Sequence, residues 1–391
     1  MQEIKARYGE RLNEILGRLH RYPEIAFREQ ETTRLIREVL CSIGFEIVEL
    51  DIKTGVAARL RTGKPGPVIG LRADIDGIEQ QEAAERPDKS VNEGVMHACG
   101  HDTHAAGLLG AAMALADIKE TLSGDVVVIF QPAEETIAGA KYLISHGLLE
   151  LAPMDAIFAF HNAPDMPVGQ IGLKQGTLMS GKDDFRITVR GKGGHGAFPH
   201  KCTDPMIAAC ATVGALQSIV SRNISPQATA VVSVCTIQGG HANNLIPDEV
   251  VMTCGARTFD VEVQEQVKKR IAEIAQNTTA AYGCTAEIEY YATVPPLINS
   301  EELYEAAKIA TEMTAAPEKI LEPSVNFASE DFAIYCASVP GFYYFLGSGT
   351  PGSENAAWHS AHFRADPDTV FWGAELLKNS VLAAQNYLGK G

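Results

Sequence analysis

Apolar positions recur with helical spacing over residues 10–19 and 31–43, and Pro23 in HRYPEIAF breaks the chain between them. Short, continuous apolar runs then alternate with helical stretches. GPVIGLRADID predicts a strand at about 67–72, GDVVVIFQPAEE a second at about 125–130, and DAIFAFHN a third at about 155–160. AAGLLGAAMALADI predicts a helix of small residues over about 105–118. Continuous apolar strands separated by helices predict a largely parallel sheet covered on both faces.

The pattern changes near residue 180. DDFRITVRG alternates as a half-buried strand, residues 205–222 read as a helix, 228–237 and 249–259 as two strands, 261–283 as a second helix, and AEIEYYATV as a last strand. The order β-α-β-β-α-β describes a split, ferredoxin-like unit of about 110 residues. After Pro295-Pro296 a helix at 301–314, a strand at 341–347 and a helix at 367–387 return to the earlier character. The expected class is α/β: a mixed, mostly parallel sheet domain of residues 1–179 plus 296–391, interrupted by an inserted α+β domain of residues 180–295.

At 391 residues the chain is long enough for two or three domains at roughly 150 residues each. Hydrophobic residues make up 46% and charged residues 21%, as in an ordinary globular protein. No apolar run is long enough to span a membrane. The net charge of −16 repels phosphate backbones, which argues against a nucleic-acid partner. The first residues, MQEIKARYGERL, do not read as a signal peptide. The eight cysteines are therefore expected to be reduced cytosolic thiols, mostly buried as small hydrophobes, as for Cys235 within VVSVCTI.

In open α/β sheets, ligands bind beyond the carboxyl ends of the strands. Four predicted strands are followed there by Asp74 and Asp76, by Glu134 and Glu135, by His161, and by Trp358-His359 after a Gly-rich loop. The densest cluster is MHACGHDTH, with Cys99, His97, His101, His104 and Asp102 in nine residues before a predicted helix. Cysteine and histidine are preferred ligands of a borderline metal such as zinc, and carboxylates complete such sites. Taken alone, the cluster is also compatible with a helix cap and buried histidines. Glu134 and Glu135 repel unless a cation or proton separates them. A division of labour resolves this: one glutamate binds metal and the other takes a proton from water, with no preference between them.

MHACGHDTH, QPAEE, the His161-Asn162 pair, GKGGHGAFPH, NLIPDE, SEDF and Trp358-His359-Ser360 together resemble the amidohydrolase branch of the zinc aminoacylase/carboxypeptidase G2-like metallopeptidase family. That branch holds hippurate hydrolases, N-acyl-amino-acid amidohydrolases and indoleacetyl-amino-acid hydrolases. The resemblance runs from about His20 to His359. It implies a two-metal centre with Cys99, His101, Glu135, His161 and His359 as ligands and Glu134 as general base. Asp76 is implied to orient a ligand, and His97 and His104 to be structural or to support the ligands. The resemblance also implies that the inserted domain is a lid and dimerisation domain. From it His195 would reach a neighbouring subunit's site and stabilise an oxyanion, while Asn244 and Arg257 hold the substrate carboxylate.

The expected activity is metal-dependent hydrolysis of acetyl, benzoyl or indoleacetyl amino acids in the cytoplasm, by a homodimer or higher homo-oligomer. The cofactors would be two divalent ions per subunit, of Zn, Mn, Co or Ni. Gly77-Ile78-Glu79-Gln80 after Asp76 and Ser-Ala-His-Phe after His359 depart from the branch pattern near the expected acyl pocket. Rival readings are a dipeptidase or carboxypeptidase with the same centre, an inert metal-binding protein, and a cysteine hydrolase using Cys99.

Overall fold

In the computed structural model, which describes residues 1–83 and 88–389, the chain divides into two compact units. One comprises residues 1–178, 298–324 and 331–391, and the other 179–297 and 325–330.

The first unit opens with α1 (Gln2–Arg21) and α2 (Gln30–Ser42), each amphipathic, with Leu12, Ile15, Ile36 and Leu40 turned into the core. The strands β1 (Glu46–Val48), β2 (Val56–Leu60) and β3 (Ile69–Asp74) follow, then α3 (His101–Asp117), β4 (Val126–Gln131), β5 (Ala156–Pro167) and β6 (Ile171–Gly172). Every residue of β3 and β4 is buried, which requires cover on both faces of the sheet. Helix α3 is buried from His101 to Leu115. Its alanines and glycines present no bulky stripe, so the helix can lie within the core rather than on it.

The second unit starts with β7 (Gly181–Arg190), α4 (Pro205–Leu216), β8 (Ala230–Gly239), β9 (Glu249–Thr258), α5 (Val261–Ala281) and β10 (Thr285–Val294). Its sheet order is β8-β9-β7-β10, antiparallel throughout. This is the split arrangement expected from β-α-β-β-α-β order. Both helices begin on an aspartate: Asp204 accepts from the Met206 N–H at 2.9 Å and Asp260 from the Val263 N–H at 3.0 Å. Strand β7 alternates between buried and more exposed positions, so Phe185, Ile187 and Val189 enter this unit's own core.

The chain then returns to the first unit with α6 (Tyr304–Thr314), β11 (Ile320–Leu321), β12 (Gly341–Gly349) and α7 (Thr369–Leu388). The main sheet has the order β1-β2-β4-β3-β5-β12-β6-β11. Its centre, β4-β3-β5-β12, is parallel, whereas the pairings β1–β2, β2–β4 and β6–β12 are antiparallel.

Several expectations are corrected. Strands β1 and β2 were not foreseen; they add an antiparallel margin to the parallel centre. The helix expected over 205–222 ends at Leu216, and a wider turn follows at Ile219–Asn223. The third strand runs to Pro167 rather than about 160, so His161 lies within β5 and not beyond it. Residues 325–330 pack with the second unit, because the carbonyls of Asn326 and Ala328 accept from the Ser180 N–H. The cysteines are not mostly buried: Cys99, Cys254 and Cys284 are, but Cys41, Cys210 and Cys235 are exposed. Cys235 lies on β8, an edge strand with an open face, so an apolar run there does not mean burial.

Candidate metal centre

The first unit gathers Cys99, His101, Glu134, Glu135, His161 and His359 from four separate segments. Local backbone geometry makes this possible. Gly100, between Cys99 and the first residue of α3, has φ +85°, and a Cβ there would strike the Asn162 side-chain amide and the Phe363 ring. Ala133, Ile137 and His359 have φ of +56°, +57° and +60°. A left-handed backbone costs a non-glycine residue about 1–2 kcal/mol, so surrounding contacts must hold these turns. For His359 one such contact is visible: its N–H donates to the Ala98 carbonyl at 2.9 Å.

The donor atoms converge. Cys99 Sγ lies 3.4 Å from His161 Nε2. Glu135 faces two imidazoles, with Oε1 at 3.9 Å from His101 Nε2 and Oε2 at 3.3 Å from His359 Nε2. Within each of the trios Cys99/His101/His161, Cys99/Glu135/His359 and His101/Glu134/Glu135, the ligand atoms lie within 4.8 Å of one another. Cys99 belongs to two of these sets and Glu135 to two.

The second nitrogen of each buried imidazole sets its tautomer. His101 Nδ1 is 2.9 Å from the Asp76 carbonyl, and His161 Nδ1 is 2.8 Å from the Asn162 carbonyl. A carbonyl only accepts, so both Nδ1 atoms carry hydrogen and both Nε2 atoms turn toward the cluster. Asp76 braces two segments at once, with Oδ1 at 3.2 Å from His101 Nδ1 and Oδ2 accepting from the Glu135 N–H at 3.1 Å.

Below the cluster is a buried polar network. His104 Nδ1 donates to Asp74 Oδ1 at 2.6 Å, and its Nε2 accepts from the Asn162 N–H at 3.0 Å. Asp74 and Asp331 accept from the Arg72 guanidinium at 2.7 and 2.8 Å. The Asp331 N–H in turn donates to Glu134 Oε1 at 3.4 Å. Burial and the adjacent Glu135 charge push the Cys99 thiol well above its ordinary value. Burial holds His161 well below its ordinary value. His101 goes the other way: burial opposes its charging, but Asp74 and the Asp76 hydrogen bond carry it well above the usual imidazole range.

These features fit a cation. His101 Nε2 and Glu135 Oε1 are buried without a hydrogen-bond partner, a costly state that coordination would relieve. The carboxylates draw a proton onto His101 where a divalent ion could supply the charge instead. A buried neutral thiol is a poor nucleophile, which weighs against the cysteine-hydrolase reading, yet it becomes a strong ligand once a cation displaces its proton.

The second unit carries the remaining candidates. His195 is exposed and pairs with Leu245 across a two-stranded ribbon, so Asn244 is its neighbour. The Ala197 N–H donates to His195 Nδ1 at 3.1 Å, which leaves Nε2 as the outward donor of a neutral ring. Arg257 lies on β9, apart from that ribbon, with Nη1 at 3.5 Å from Asp184.

Sequence reasoning passed over Arg72, Asp331, Asn162 and Glu29. Asn162 ties the cluster together: its side chain donates to the Cys99 carbonyl at 2.5 Å and its carbonyl accepts from Trp358 Nε1 at 3.2 Å. The signal available was position, since Asn162 follows a candidate ligand and SEDF is a motif containing Asp331. His97 makes no such contact: it is buried with both ring nitrogens unpartnered.

Comparison with known proteins adds independent findings. Residues 70–383 match the model of peptidase family M20/M25/M40. The chain is 40% identical to the N-acetyl-L-cysteine deacetylase of Bacillus subtilis over 362 residues, covering 93% of this chain and 85% of that protein. It is 38% identical to the hippurate hydrolase of Campylobacter jejuni over 345 residues, covering 88% and 89%. Among solved structures, a dinuclear metal-binding peptidase of the M20 family from Bacillus subtilis superposes with a TM-score of 0.85 at 34% identity, covering 97% of this chain and 98% of that one.

Proposed function

The chain belongs to peptidase family M20/M25/M40, and from that membership and the donor cluster we propose that it is a metal-dependent amidohydrolase acting on N-acyl amino acids. The observation that carries this reading is the convergence of Cys99, Glu135 and His359 within 4.8 Å, with Cys99 shared by the His101/His161 set and Glu134 beside them. Cys99, His101, Glu135, His161 and His359 would hold two divalent ions. When bound, such ions supply Lewis acidity that polarises the substrate carbonyl and lowers the pKa of water.

Glu134 is the general base in this account. Its carboxylate is buried and receives the Asp331 N–H, so it is fixed in place. It takes a proton from the water that attacks the carbonyl carbon, forming the new C–O bond. It then delivers that proton to the nitrogen as the C–N bond breaks, releasing an amine and a carboxylic acid, whose remaining proton then passes to the amine to give ammonium and carboxylate. Asp76 orients His101 and Glu135. His195, with its Nε2–H outward, stabilises the oxyanion from a partner subunit, while Asn244 and Arg257 bind the substrate carboxylate. The second unit thus serves as lid and dimerisation domain, and the working form is a homodimer. A ligating thiol must stay reduced, and all eight cysteines are free, which supports a cytoplasmic setting.

The test is a panel of N-acetyl, N-benzoyl and indoleacetyl amino acids alongside dipeptides, run on wild type and Glu134→Gln. Metal-dependent turnover of the acyl amino acids is expected, with loss of about 10²–10⁴-fold in the variant at unchanged metal content. Turnover confined to dipeptides would favour the peptidase reading, and a fully active variant would remove Glu134 from its role.

A further inference from the structure

We infer that Glu29 is a positioning residue that holds the turn bearing Glu134 and Glu135 in its strained form, and that it does so as a hydrogen-bond acceptor rather than as a charge. The inference rests on the function proposed above. Glu29 lies far away in sequence, at the entry to α2, yet its side chain is fully buried. Carboxylates are almost never fully buried unless they are paired. No basic side chain is among the groups that set this one's charge state. Its Oε1 instead accepts the Ala133 N–H at 2.9 Å.

Ala133 is the residue that the turn strains. Its φ is +56°, and the chain folds back so tightly that a Cβ on Gly139 would overlap the Pro132 carbonyl. The Ala133 carbonyl accepts from the Gly139 N–H at 3.1 Å and from the Thr136 hydroxyl at 3.1 Å. The Glu135 N–H goes to Asp76. The turn is therefore fastened at both sides of Ala133 and at Glu135, and Glu29 supplies the fastening on the N-terminal side. Without it, a buried N–H loses its acceptor exactly where the backbone is least favourable, and the turn relaxes toward ordinary φ. Glu134 and Glu135, one and two residues on, would move with it.

The acceptor role follows from the other oxygen. Oε2 and the buried Thr54 hydroxyl beside it lie short of bonding geometry, so Thr54 only partly offsets the burial that disfavours the charge. No cation is among the groups that set its charge state, and burial outweighs the hydrogen bonds that favour the carboxylate. An amide at position 29 could keep its oxygen on the Ala133 N–H and turn its NH₂ to the Thr54 hydroxyl, satisfying both.

The test compares Glu29→Gln with Glu29→Asp in the metal-loaded protein. Aspartate keeps the charge but withdraws the oxygen by one methylene; glutamine keeps the reach and removes the charge. The expected result for Glu29→Asp is a fall in kcat of about 10- to 100-fold with little change in KM, an altered Co(II) absorption spectrum, and faster hydrogen exchange in the 131–138 segment. Glu29→Gln is expected to match wild type in all of these. Ala133→Gly, which removes the strain at that position, should restore kcat in the Glu29→Asp background and serves also if the single variant does not fold. Equal loss in Glu29→Gln and Glu29→Asp, or a Glu29→Asp protein with wild-type kcat, overturns the inference. If wild type hydrolyses no acyl amino acid, the proposed function fails; the Co(II) spectrum and the exchange of 131–138 still decide on Glu29, since both unchanged in Glu29→Asp refutes the clamp.

Discussion

Replacing Glu29 by glutamine should stabilise the protein at neutral pH, although it removes a buried polar group's native form. Burial raises the Glu29 carboxyl from 4.5 to about 7, with the nearby Asp76 charge adding to the effect. The sign follows from linkage. Between pH 4.5 and 7 the folded chain holds the Glu29 proton and the unfolded chain has released it. Stability therefore falls as pH rises through that window and is flat for this group on either side. At about 1.36 kcal/mol per decade, the full cost is about 3 kcal/mol. Glutamine does not titrate, so the variant escapes it. Urea denaturation of the chelated proteins at several pH values between 4 and 8 measures this directly. Other groups titrate too, but they cancel in the difference between variant and wild type. The gap should open by about 3 kcal/mol in favour of Glu29→Gln between pH 4.5 and 7. Parallel curves for the two proteins would show that Glu29 is not a desolvated carboxyl, and the reasoning from burial would be wrong.

Three further outcomes follow from the cluster. Asp76→Ala removes the acceptor of the Glu135 N–H and the carboxylate beside His101 Nδ1, leaving that ring only the backbone carbonyl of residue 76, so metal affinity measured by competition with a chromogenic chelator should fall about 10-fold. Gly100→Ala forces a left-handed alanine against Asn162 and Phe363; strain and overpacking together should cost about 2–4 kcal/mol in denaturation, with loss of bound metal. Metal binding should release a proton from Cys99, whose thiol burial holds neutral, so calorimetric titration of metal in buffers of different ionisation enthalpy should show proton release in wild type and less of it in Cys99→Ala.

How much of this was legible in the sequence depends on the range of the interaction. The parallel centre of the sheet was readable because β3, β4 and β5 are buried on both faces and so appear as unbroken apolar runs. The margin β1–β2 was not, because three to five residues leave no periodicity to detect. The donor types were readable from the MHACGHDTH cluster and the Glu134-Glu135 pair, since few other chemistries need Cys, His and adjacent carboxylates together. What supports them was hidden. Glu29 reads as one more charge in a stretch of mixed sign, and Arg72 as an interruption of a strand. Their roles arise only from contacts across 104 residues to Ala133 and 259 residues to Asp331. Cys235 shows the opposite error: a strand-like apolar run carries no mark of being at an edge.

The central claim is that Cys99, His101, Glu135, His161 and His359 hold two divalent ions on which amide hydrolysis depends. The most direct test is to strip the protein with chelator and follow both bound metal and turnover of an N-acyl amino acid as metal is restored. The account predicts no activity without metal and a rise that saturates at two ions per chain. Undiminished turnover by fully stripped protein, or no stoichiometric metal binding at all, would contradict it.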